Sequence, residues 1–405
     1  MPAHPPIRAT NRALLISVAV LVLLAALGTL VAFLIYSMKK TSVSDRQPVQ
    51  EVSQHLGQPG PMHSVTLDNG RTLDLPQGFT ISRSVKGRGA LRMMAVTPDG
   101  YLLVTEKDQG NVLAYPLADN APAAVTMASG LRIPSGIAFH EGYVWVAEET
   151  QVSRFPYQGG GRAGSQEIVI SGLPSGGHNT RTINFGPDGK LYLTIGSSCN
   201  VCEEKDNRRA AMLRANPDGS GMEIYATGLR NTVGFDWNPA SGEIWGVDNG
   251  RDLMGDDLPP DKVNIIRQGR NYGWPYCYGN RKVNPEFQGN PSRAAFCQGT
   301  EPPLVELQAH SAPLGVRFLT DPAWPSAYQQ NFFIGFHGSW NRSVPTGYKV
   351  VRVGTDLKVY DFITGWLDQS SGNYWGRPVD ILFAGNNMYV SDDYSGTIYR
   401  VTASP

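Results

Sequence analysis

The chain has 405 residues, of which 41% are hydrophobic and only 17% are charged, and its 35 Lys and Arg residues balance its 35 Asp and Glu residues. This neutral balance argues against nucleic acid as a partner, because phosphate binding requires a basic surface. The low charge, together with 45 Gly, 29 Pro, 8 Trp, 17 Tyr and 14 Phe residues, argues against a disordered chain and favours compact, turn-rich β structure.

The first predicted element is a membrane-spanning helix over residues 13–36. This run of 24 residues carries no charged side chain, and a helix of that length extends about 36 Å, enough to cross a hydrocarbon core of about 30 Å. A cleaved signal peptide is the alternative, but its apolar region has only about 7–15 residues and ends in a small-x-small site. This run is longer and ends in YSMKK at 36–40. We therefore predict an uncleaved anchor.

The anchor divides the chain into a cytoplasmic N-terminus (1–12), the membrane segment (13–36), a polar tether (37–64) and a soluble body (65–405). Basic residues lie on both sides of the membrane segment, so the positive-inside rule does not decide its orientation. The four Cys residues could form two disulfides, which occur in oxidising compartments. We therefore expect a single-pass protein of the inner membrane whose body faces the periplasm.

A repeated pattern dominates the soluble body. Each copy predicts a β-hairpin, because Pro and Asp-Gly set a turn between two alternating apolar runs. The copies lie at 95–106, 137–149, 184–197, 235–250, 316–340 and 379–393. Six copies at a spacing of about 57 residues predict an all-β fold, a six-bladed β-propeller with four strands in each blade, preceded by the single transmembrane helix. The last run, 396–401, is expected to pair with strands from the start of the domain. A β-sandwich is the alternative, but it does not account for six similar segments.

Ligands bind propellers at the central channel, on the loops that leave the inner strands. His178 lies in a Gly-rich loop just before the third repeat, and it is a candidate general base because the unperturbed pKa of histidine is near 6.5. Arg230 precedes the fourth repeat and offers a fork of donors that suits carboxylates and oxyanions. A structural histidine and an arginine stacked between blades are the alternatives.

Two further groups of residues suit ligands. The segment 248–261 contains five Asp residues, and clustered oxygens of this kind suit Ca²⁺, although the segment lacks an EF-hand pattern. Trp340 with Arg342, near the end of the fifth repeat, offers a platform for a flat anionic ligand, and Arg377 lies just before the sixth repeat. Packing of Trp340 between blades is the alternative.

The cysteines point to structure and not to a metal or haem. Cys199 and Cys202 are followed by Glu203 instead of His, which excludes haem c attachment, and the absence of a second such pair argues against a four-Cys zinc site. A local disulfide is then the simplest interpretation, with Cys277 and Cys297 as a second pair, although the spacing does not prove the connectivity. No Gly-x-Gly-x-x-Gly motif follows a predicted strand, and the chain has no P-loop, His-Glu-x-x-His or Gly-x-Ser-x-Gly motif. Nicotinamide binding through a Rossmann unit, ATP hydrolysis and α/β-hydrolase chemistry are therefore poorly supported.

Three segments resemble the glucose/sorbosone dehydrogenases that depend on pyrroloquinoline quinone (PQQ). They are GHNTRTINFGPDGKLYLTIGSSCNVC (177–202), IYATGLRNTVGFDWNPASGEIWGVDNGRD (224–252) and KVNIIRQGRNYGWPYC (262–277). The resemblance extends over residues 78–401. It implies a six-bladed propeller that uses PQQ and Ca²⁺ to oxidise a hydroxyl or aldehyde group of an aldose or a sorbosone-like sugar to a lactone or acid.

The resemblance also implies roles for the candidate residues. His178 would take the hydroxyl proton while hydride passes to the quinone. Arg230 and Asn231 would contact the quinone oxygens and stabilise developing negative charge. Ser197 stands where the glucose-oxidising members carry an acidic residue, so the resemblance extends neither to an acidic partner for His178 nor to glucose as the substrate.

The metal and the carboxylates of the cofactor have implied ligands as well. The backbone oxygens of Gly250 and Arg251 would bind Ca²⁺, which polarises the quinone as a Lewis acid. Arg342 and Arg377 would hold cofactor carboxylates, and Trp340 completes the predicted cofactor-binding set. Because the chain has no haem attachment site, electrons would leave to a separate carrier such as a quinone or a cytochrome.

Two other functions stay open on the residues alone. A propeller lactonase or other hydrolase would use a central Ca²⁺ and carboxylates such as Glu106, Glu148 and Asp248. A non-enzymatic, membrane-anchored binding propeller is the other possibility, since Ser197 replaces an acidic residue.

Overall fold

A computed structural model describes residues 56–57, 60–117 and 123–403 of the chain. The predicted cytoplasmic N-terminus, the membrane segment and most of the tether lie outside the described residues. Within the described ranges, no helix is both long enough and apolar enough to cross a membrane. The first strand, Met62–Thr66, begins inside the predicted tether, and Leu56 forms a β-bridge with Val359. The folded body therefore includes residues upstream of 65.

Six antiparallel sheets, here called blades 1 to 6, form the body. Blade 1 contains Leu91–Val96, Tyr101–Glu106, Asn111–Pro116 and Val125–Ala128, blade 2 contains Ile137–His140, Tyr143–Ala147, Val152–Gly159 and Glu167–Ile170 with the short strand Arg162–Ala163, and blade 3 contains Arg181–Phe185, Leu191–Ile195, Ala211–Ala215 and Glu223–Thr227. Blade 4 contains Thr232–Trp237, Ile244–Asp248, Asp261–Ile266 and Val305–Leu307, blade 5 contains Pro313–Phe318, Phe332–Phe336, Lys349–Val353 and Val359–Ile363, and blade 6 contains Pro378–Ala384, Asn387–Asp392, Thr397–Ala403 and Phe79–Val85.

The blades are arranged in a closed ring around a central channel. The first strand of each blade contacts the first strands of both neighbouring blades, and blade 6 contacts blade 1 in the same way. A cavity of about 20 Å³ lies between these six strands, which is room for about one water molecule. A larger ligand must therefore bind at a mouth of the channel.

The sequence predictions for the repeats are confirmed. All six predicted hairpins are the first two strands of a blade. The strand Thr397–Ala403 pairs with Phe79–Val85, and Val401 lies opposite Ile81. The last strand therefore closes the ring against a strand from the start of the propeller, as expected. The β-sandwich alternative is wrong, because each sheet packs against two neighbours around an axis.

An aromatic core holds this closure together. Tyr399, in the third strand of blade 6, is fully buried, and its ring lies 5.3 Å from that of Trp366. Its hydroxyl donates to Asp392 Oδ2 at 3.1 Å.

Replacing Tyr399 with alanine is expected to lower the free energy of unfolding by about 3–5 kcal/mol, because the change leaves a cavity where the last strand closes the ring against Phe79–Val85. Urea denaturation measures this loss. Tyr394→Ala, in the same blade but 57% exposed, is the matched control and should cost less than about 1 kcal/mol. Equal losses in the two variants would contradict the role assigned to the closure.

Both predicted disulfides are confirmed. Cys199–Cys202 closes the loop after the second strand of blade 3, and Cys277–Cys297 lies in an insertion at 267–304 between the third and fourth strands of blade 4. The other elements are the hairpin Met62–Thr66 with Thr72–Pro76, the hairpin Cys277–Tyr278 with Lys282–Val283, the helix α1 at Ser292–Gln298 and the 3-10 helices Pro285–Phe287 and Ser326–Tyr328.

Candidate active site

All eight predicted site residues lie on loops at one end of the propeller, which we call the loop face. In each blade the start of the first strand pairs with the end of the second, as Thr232 pairs with Asp248 in blade 4 and Pro378 with Asp392 in blade 6. The loops that enter the first strands and leave the second strands therefore meet at one channel mouth. Entering loops carry His178, Arg230, Asn231 and Arg377, and leaving loops carry Gly250, Arg251, Trp340 and Arg342.

Ser197 holds the imidazole of His178 in one orientation. Nδ1 lies 3.0 Å from the backbone oxygen of Ser197 and 2.9 Å from its Oγ. The Ser197 hydroxyl donates its hydrogen to the Cys199 carbonyl at 2.8 Å, so the hydroxyl oxygen can only accept from His178 Nδ1. The backbone carbonyl of Ser197 can likewise only accept. This arrangement places the proton on Nδ1 and leaves the Nε2 lone pair available to accept another proton.

The surroundings of His178 keep the ring uncharged. Burial lowers the pKa of His178 to about 4, and the positive charge of Arg230 acts in the same direction. The hydrogen bond to Ser197 and the more distant charges of Asp252 and Asp248 oppose this shift without cancelling it. The imidazole is therefore neutral near pH 7, the state that a general base requires.

Gly196 allows His178 and Asn231 to approach each other. A Cβ atom on Gly196 would lie 2.5 Å from Asn231 Oδ1 and 2.6 Å from His178 Cβ, both closer than van der Waals contact allows. The backbone N–H of Asn231 donates to Asp248 Oδ1 at 2.8 Å, which holds Asn231 in place. The structure thus brings together the candidate base and the neighbouring amide side chain.

The guanidinium of Arg230 is buried and bonded to protein acceptors on all sides. Nε donates to the Asn200 carbonyl at 3.0 Å, and Nη2 donates to Asn200 Oδ1 at 2.9 Å and Asp252 Oδ2 at 3.3 Å. Nη1 donates to the carbonyls of Gly250 at 2.8 Å and Asn249 at 3.3 Å. A ligand oxygen could accept a hydrogen bond from Arg230 only by replacing one of these acceptors. The predicted contact between Arg230 and a quinone oxygen therefore stays a prediction.

The loop 249–252 presents the two carbonyls that are predicted to bind Ca²⁺. Asp261 Oδ1 accepts the Gly250 N–H at 2.8 Å, and the buried Arg251 side chain pairs with Glu286. The Gly250 oxygen already accepts a bond from Arg230, but a carbonyl oxygen has two lone pairs. One of them remains for a cation, and backbone and carboxylate oxygens are the ligands that Ca²⁺ prefers. The Gly250 oxygen therefore fits the predicted metal, and the part played by the Arg251 oxygen stays a prediction.

Trp340 and Arg377 lie on neighbouring loops and offer an open surface. The side chain of Trp340 is 71% exposed, so the alternative that it packs between blades is wrong. Arg377 donates from Nε and Nη2 to the carbonyls of His337 at 3.0 Å and Gly338 at 2.8 Å. These bonds hold the guanidinium against the loop that leads to Trp340. An accessible indole near a fixed guanidinium suits a planar anion.

Arg342 is bonded to the acidic segment and not to Arg377. Its guanidinium donates to the Asp256 carbonyl and to Asp257 Oδ1, the latter at 2.9 Å, and the N–H of Ser343 donates to Asp256 Oδ1 at 3.0 Å. Arg342 thus fastens its own loop to the acidic segment 248–261. Its predicted contact with a cofactor carboxylate stays a prediction.

A charged cluster on the loop face was not found from the sequence. Asp393 accepts bonds from Arg92 at 2.7 Å and His337 Nε2 at 2.8 Å. Burial raises the pKa of Asp393, but its bonds with His337 and Arg92 outweigh burial and bring the pKa below its usual range. Burial and the charge of Arg92 lower the pKa of Lys107. The ammonium of Lys107 therefore lies near the guanidinium of Arg92. The only sequence signal was that these residues flank inner strands.

The residues of the loop face fit a flat quinone that carries several carboxylates. Arg92, Lys107 and Arg377 supply positive charge, and Trp340 supplies an exposed aromatic face. The carboxylates that a hydrolase would need, Glu106, Glu148 and Asp248, are buried, and each accepts hydrogen bonds from neighbouring residues.

The fold and the loop face together define a six-bladed propeller with a neutral histidine, several arginines and an exposed indole at one channel mouth. The chain belongs to the TrAA12-like family, whose model matches residues 73–404. Its named relatives are PQQ-dependent sugar dehydrogenases, which confirms the resemblance found in the sequence.

Three similar proteins illustrate this relationship. An uncharacterized protein of Borreliella burgdorferi is 38% identical over 234 residues, which cover 55% of this chain and 60% of that protein. The pyrroloquinoline quinone-dependent pyranose dehydrogenase of Coprinopsis cinerea is 24% identical over 421 residues and is matched by 85% of this chain, which spans 55% of its length. The calcium structure of a Trichoderma reesei protein of carbohydrate-active enzyme family AA12 superposes with a TM-score of 0.71 at 22% identity, covering 86% of this chain and 99% of that one. The chain thus spans little more than half the length of these two curated relatives.

Replacing Ser197 with aspartate is expected to raise the pKa of His178 by about one unit or more, because a carboxylate beside Nδ1 favours the imidazolium. An NMR titration of the His178 ring measures the shift. Ser198→Asp is the matched control, since the Ser198 hydroxyl bonds Glu204 at 2.7 Å and not His178. An unchanged pKa in Ser197→Asp would contradict the contact between the two side chains.

Proposed function

We propose that this protein is a PQQ-dependent dehydrogenase that oxidises a hydroxyl or aldehyde group of an aldose or sorbosone-like sugar to a lactone or acid. The observation that carries the proposal is the fixed, neutral imidazole of His178 on the loop face, whose Nε2 has no hydrogen-bond partner among the residues that the structure describes. Membership of a family whose named relatives are PQQ-dependent sugar dehydrogenases supports it.

His178 is the residue that moves a proton. Nε2 accepts the proton of the sugar hydroxyl as the C–H bond breaks, and Nδ1–H remains donated to the two oxygens of Ser197. The resulting imidazolium is stabilised by these two acceptors, although no carboxylate contacts the ring. Positioned proton transfer of this kind contributes about 10²- to 10⁴-fold to a rate.

The other loop-face residues bind and orient. Trp340 and Arg377 would hold the flat, anionic cofactor, and Arg342 would join them by exchanging its bonds with Asp256 and Asp257 for a cofactor carboxylate. Arg230 and Asn231 would contact the quinone oxygens, which requires Arg230 to exchange one of its protein acceptors. PQQ, when bound, supplies the acceptor for the hydride, and Ca²⁺ on the oxygens of Gly250 and Arg251 supplies Lewis acidity.

We propose that the electrons leave to a separate carrier, a quinone or a cytochrome. We propose that residues 13–36 anchor the protein in the inner membrane and that the propeller lies in the periplasm. The uncharged run and the two disulfides support this location, since disulfides persist in oxidising compartments. Recovery of the full chain in the cytosolic fraction would contradict it.

Reconstitution tests the proposed activity and its metal requirement. The full chain with PQQ and Ca²⁺ should reduce a dye when supplied with a panel of aldoses. Removal of Ca²⁺ by a chelator should lower this rate by about 100-fold or more, and added Ca²⁺ should restore it. Absence of dye reduction together with absence of PQQ binding in an absorbance titration would exclude the proposed function. Lactone hydrolysis without PQQ would favour the hydrolase alternative.

A further inference from the structure

The loop closed by the Cys199–Cys202 disulfide reaches both halves of the proposed site. On one side, the Cys199 carbonyl accepts the hydroxyl of Ser197 at 2.8 Å, and this bond turns the Ser197 oxygen toward His178. On the other side, the backbone oxygen of Asn200 accepts from Arg230 Nε at 3.0 Å and its Oδ1 accepts from Arg230 Nη2 at 2.9 Å. Two adjacent residues of one loop thus act on the base and on the arginine.

Asn200 also holds the loop that is predicted to bind the metal. Its Oδ1 accepts the backbone N–H of Asp252 at 2.8 Å, and its Nδ2 donates to the Asp252 carbonyl at 3.1 Å. A side-chain amide that bonds both the donor and the acceptor of one backbone residue fixes that residue in position and in orientation. Asn200 therefore joins Arg230 to the segment 249–252.

The disulfide accounts for the shape of this loop. Its two cysteines are only three positions apart, and Asn200 lies between them. With the bridge closed, the carbonyls of Cys199 and Asn200 are presented to Ser197 and Arg230 respectively. A bridge that only stiffened a surface loop would not require these two directed contacts.

We propose that the disulfide-closed loop 199–202 is a positioning element of the active site, in which Asn200 holds Arg230 and the segment 249–252 in register with His178. This inference rests on the proposed function. Asn200 need not touch the substrate, because it acts through Arg230 and Asp252.

The bridge is tested in the cofactor-free full chain, where turnover plays no part. Nitrogen-15 NMR of the His178 ring should show the Nδ1–H tautomer in the parent protein. The Cys199→Ser/Cys202→Ser variant should keep this tautomer, because the Ser197 carbonyl still accepts from Nδ1. Its Nδ1–H resonance should nevertheless shift and broaden, because the Cys199 carbonyl no longer holds the Ser197 hydroxyl as a second acceptor. An Nδ1–H resonance unchanged from the parent in a folded serine variant would overturn the role of the bridge.

Asn200 is tested in the reconstituted enzyme. Asn200→Ala should lower kcat by about 10- to 100-fold while the KM for the sugar changes less than about threefold, as expected when reacting groups are misplaced and substrate contacts are intact. Asn200→Asp keeps the acceptor for Arg230 but loses the Nδ2 donor to the Asp252 carbonyl, so it should recover only part of this loss.

The matched control for Asn200 lies at the opposite end of the same blade. Asn216 makes comparable side-chain bonds with Ser220 and Lys190, and Asn216→Ala should leave kcat unchanged. A kcat for Asn200→Ala within twofold of this control would overturn the positioning role. If the parent enzyme shows no sugar oxidation at all, the proposed function fails, and the Nδ1–H resonance of the serine variant still decides whether the loop controls the surroundings of His178.

Discussion

His178→Ala is expected to lower kcat for sugar oxidation by about 10²- to 10⁴-fold, the usual contribution of a positioned general base. The change removes the imidazole whose Nδ1–H is held by Ser197 and whose Nε2 is unprotonated near pH 7. Affinity for PQQ should stay nearly unchanged, because the cationic and aromatic residues that would hold the cofactor lie on other loops.

Steady-state dye reduction and an absorbance titration with PQQ separate the two effects. His140→Ala is the matched control, because His140 ends the first strand of blade 2 at the opposite end of the propeller and stacks on Phe185 with ring centroids 3.8 Å apart. It should keep full turnover. A kcat for His178→Ala within about tenfold of the parent value would show that another residue is the base.

The pH dependence of kcat gives an independent test of the same assignment. Because burial and Arg230 lower the pKa of His178 to about 4, Nε2 carries a lone pair at all pH values well above 4. The rate should therefore be constant from about pH 8 to pH 5 and should fall as the pH approaches 4, where the ring takes up a proton. A decline centred near pH 6.5 would indicate a solvated histidine and would contradict the structure.

The inner strands could be predicted from the sequence because their turns are encoded locally. Pro98-Asp99-Gly100 and Pro187-Asp188-Gly189 each separate two apolar runs, and a hairpin needs no information from elsewhere in the chain. The fourth strand of blade 4, Val305–Leu307, is different. It has three residues and follows the insertion 267–304, so its pairing depends on tertiary packing.

The same distinction applies to the site. His178, Arg230 and Asn231 could be named because they lie in recognisable segments, but their partners could not. Arg92 and Asp393 are 301 positions apart and meet only because blade 6 closes against blade 1. The sequence also gave no sign that the guanidinium of Arg230 turns toward Asn200, since the conformation of a loop side chain depends on acceptors supplied by other loops.

Asp248→Ala is expected to lower the free energy of unfolding by about 3–5 kcal/mol, because it leaves a buried cation without its partner. Asp248 is fully buried at the end of the second strand of blade 4, and its Oδ2 lies 3.3 Å from the Nζ of Lys262, which is also buried. Its Oδ1 accepts the N–H of Asn231 at 2.8 Å, so the change also removes a support of the loop face.

Urea denaturation with two comparison variants identifies the cause of this loss. Glu167→Ala breaks an exposed ion pair with Arg154 of 2.8 Å and should cost at most about 1 kcal/mol, as exposed pairs do. Asp248→Asn/Lys262→Met keeps the acceptor for Asn231 and removes both charges, so it should be more stable than Asp248→Ala. If the double variant is as unstable as Asp248→Ala, the loss of stability arises from packing and not from the unpaired charge. If Asp248→Ala itself costs less than about 1 kcal/mol, the ammonium of Lys262 finds water or another partner, and the predicted loss is wrong.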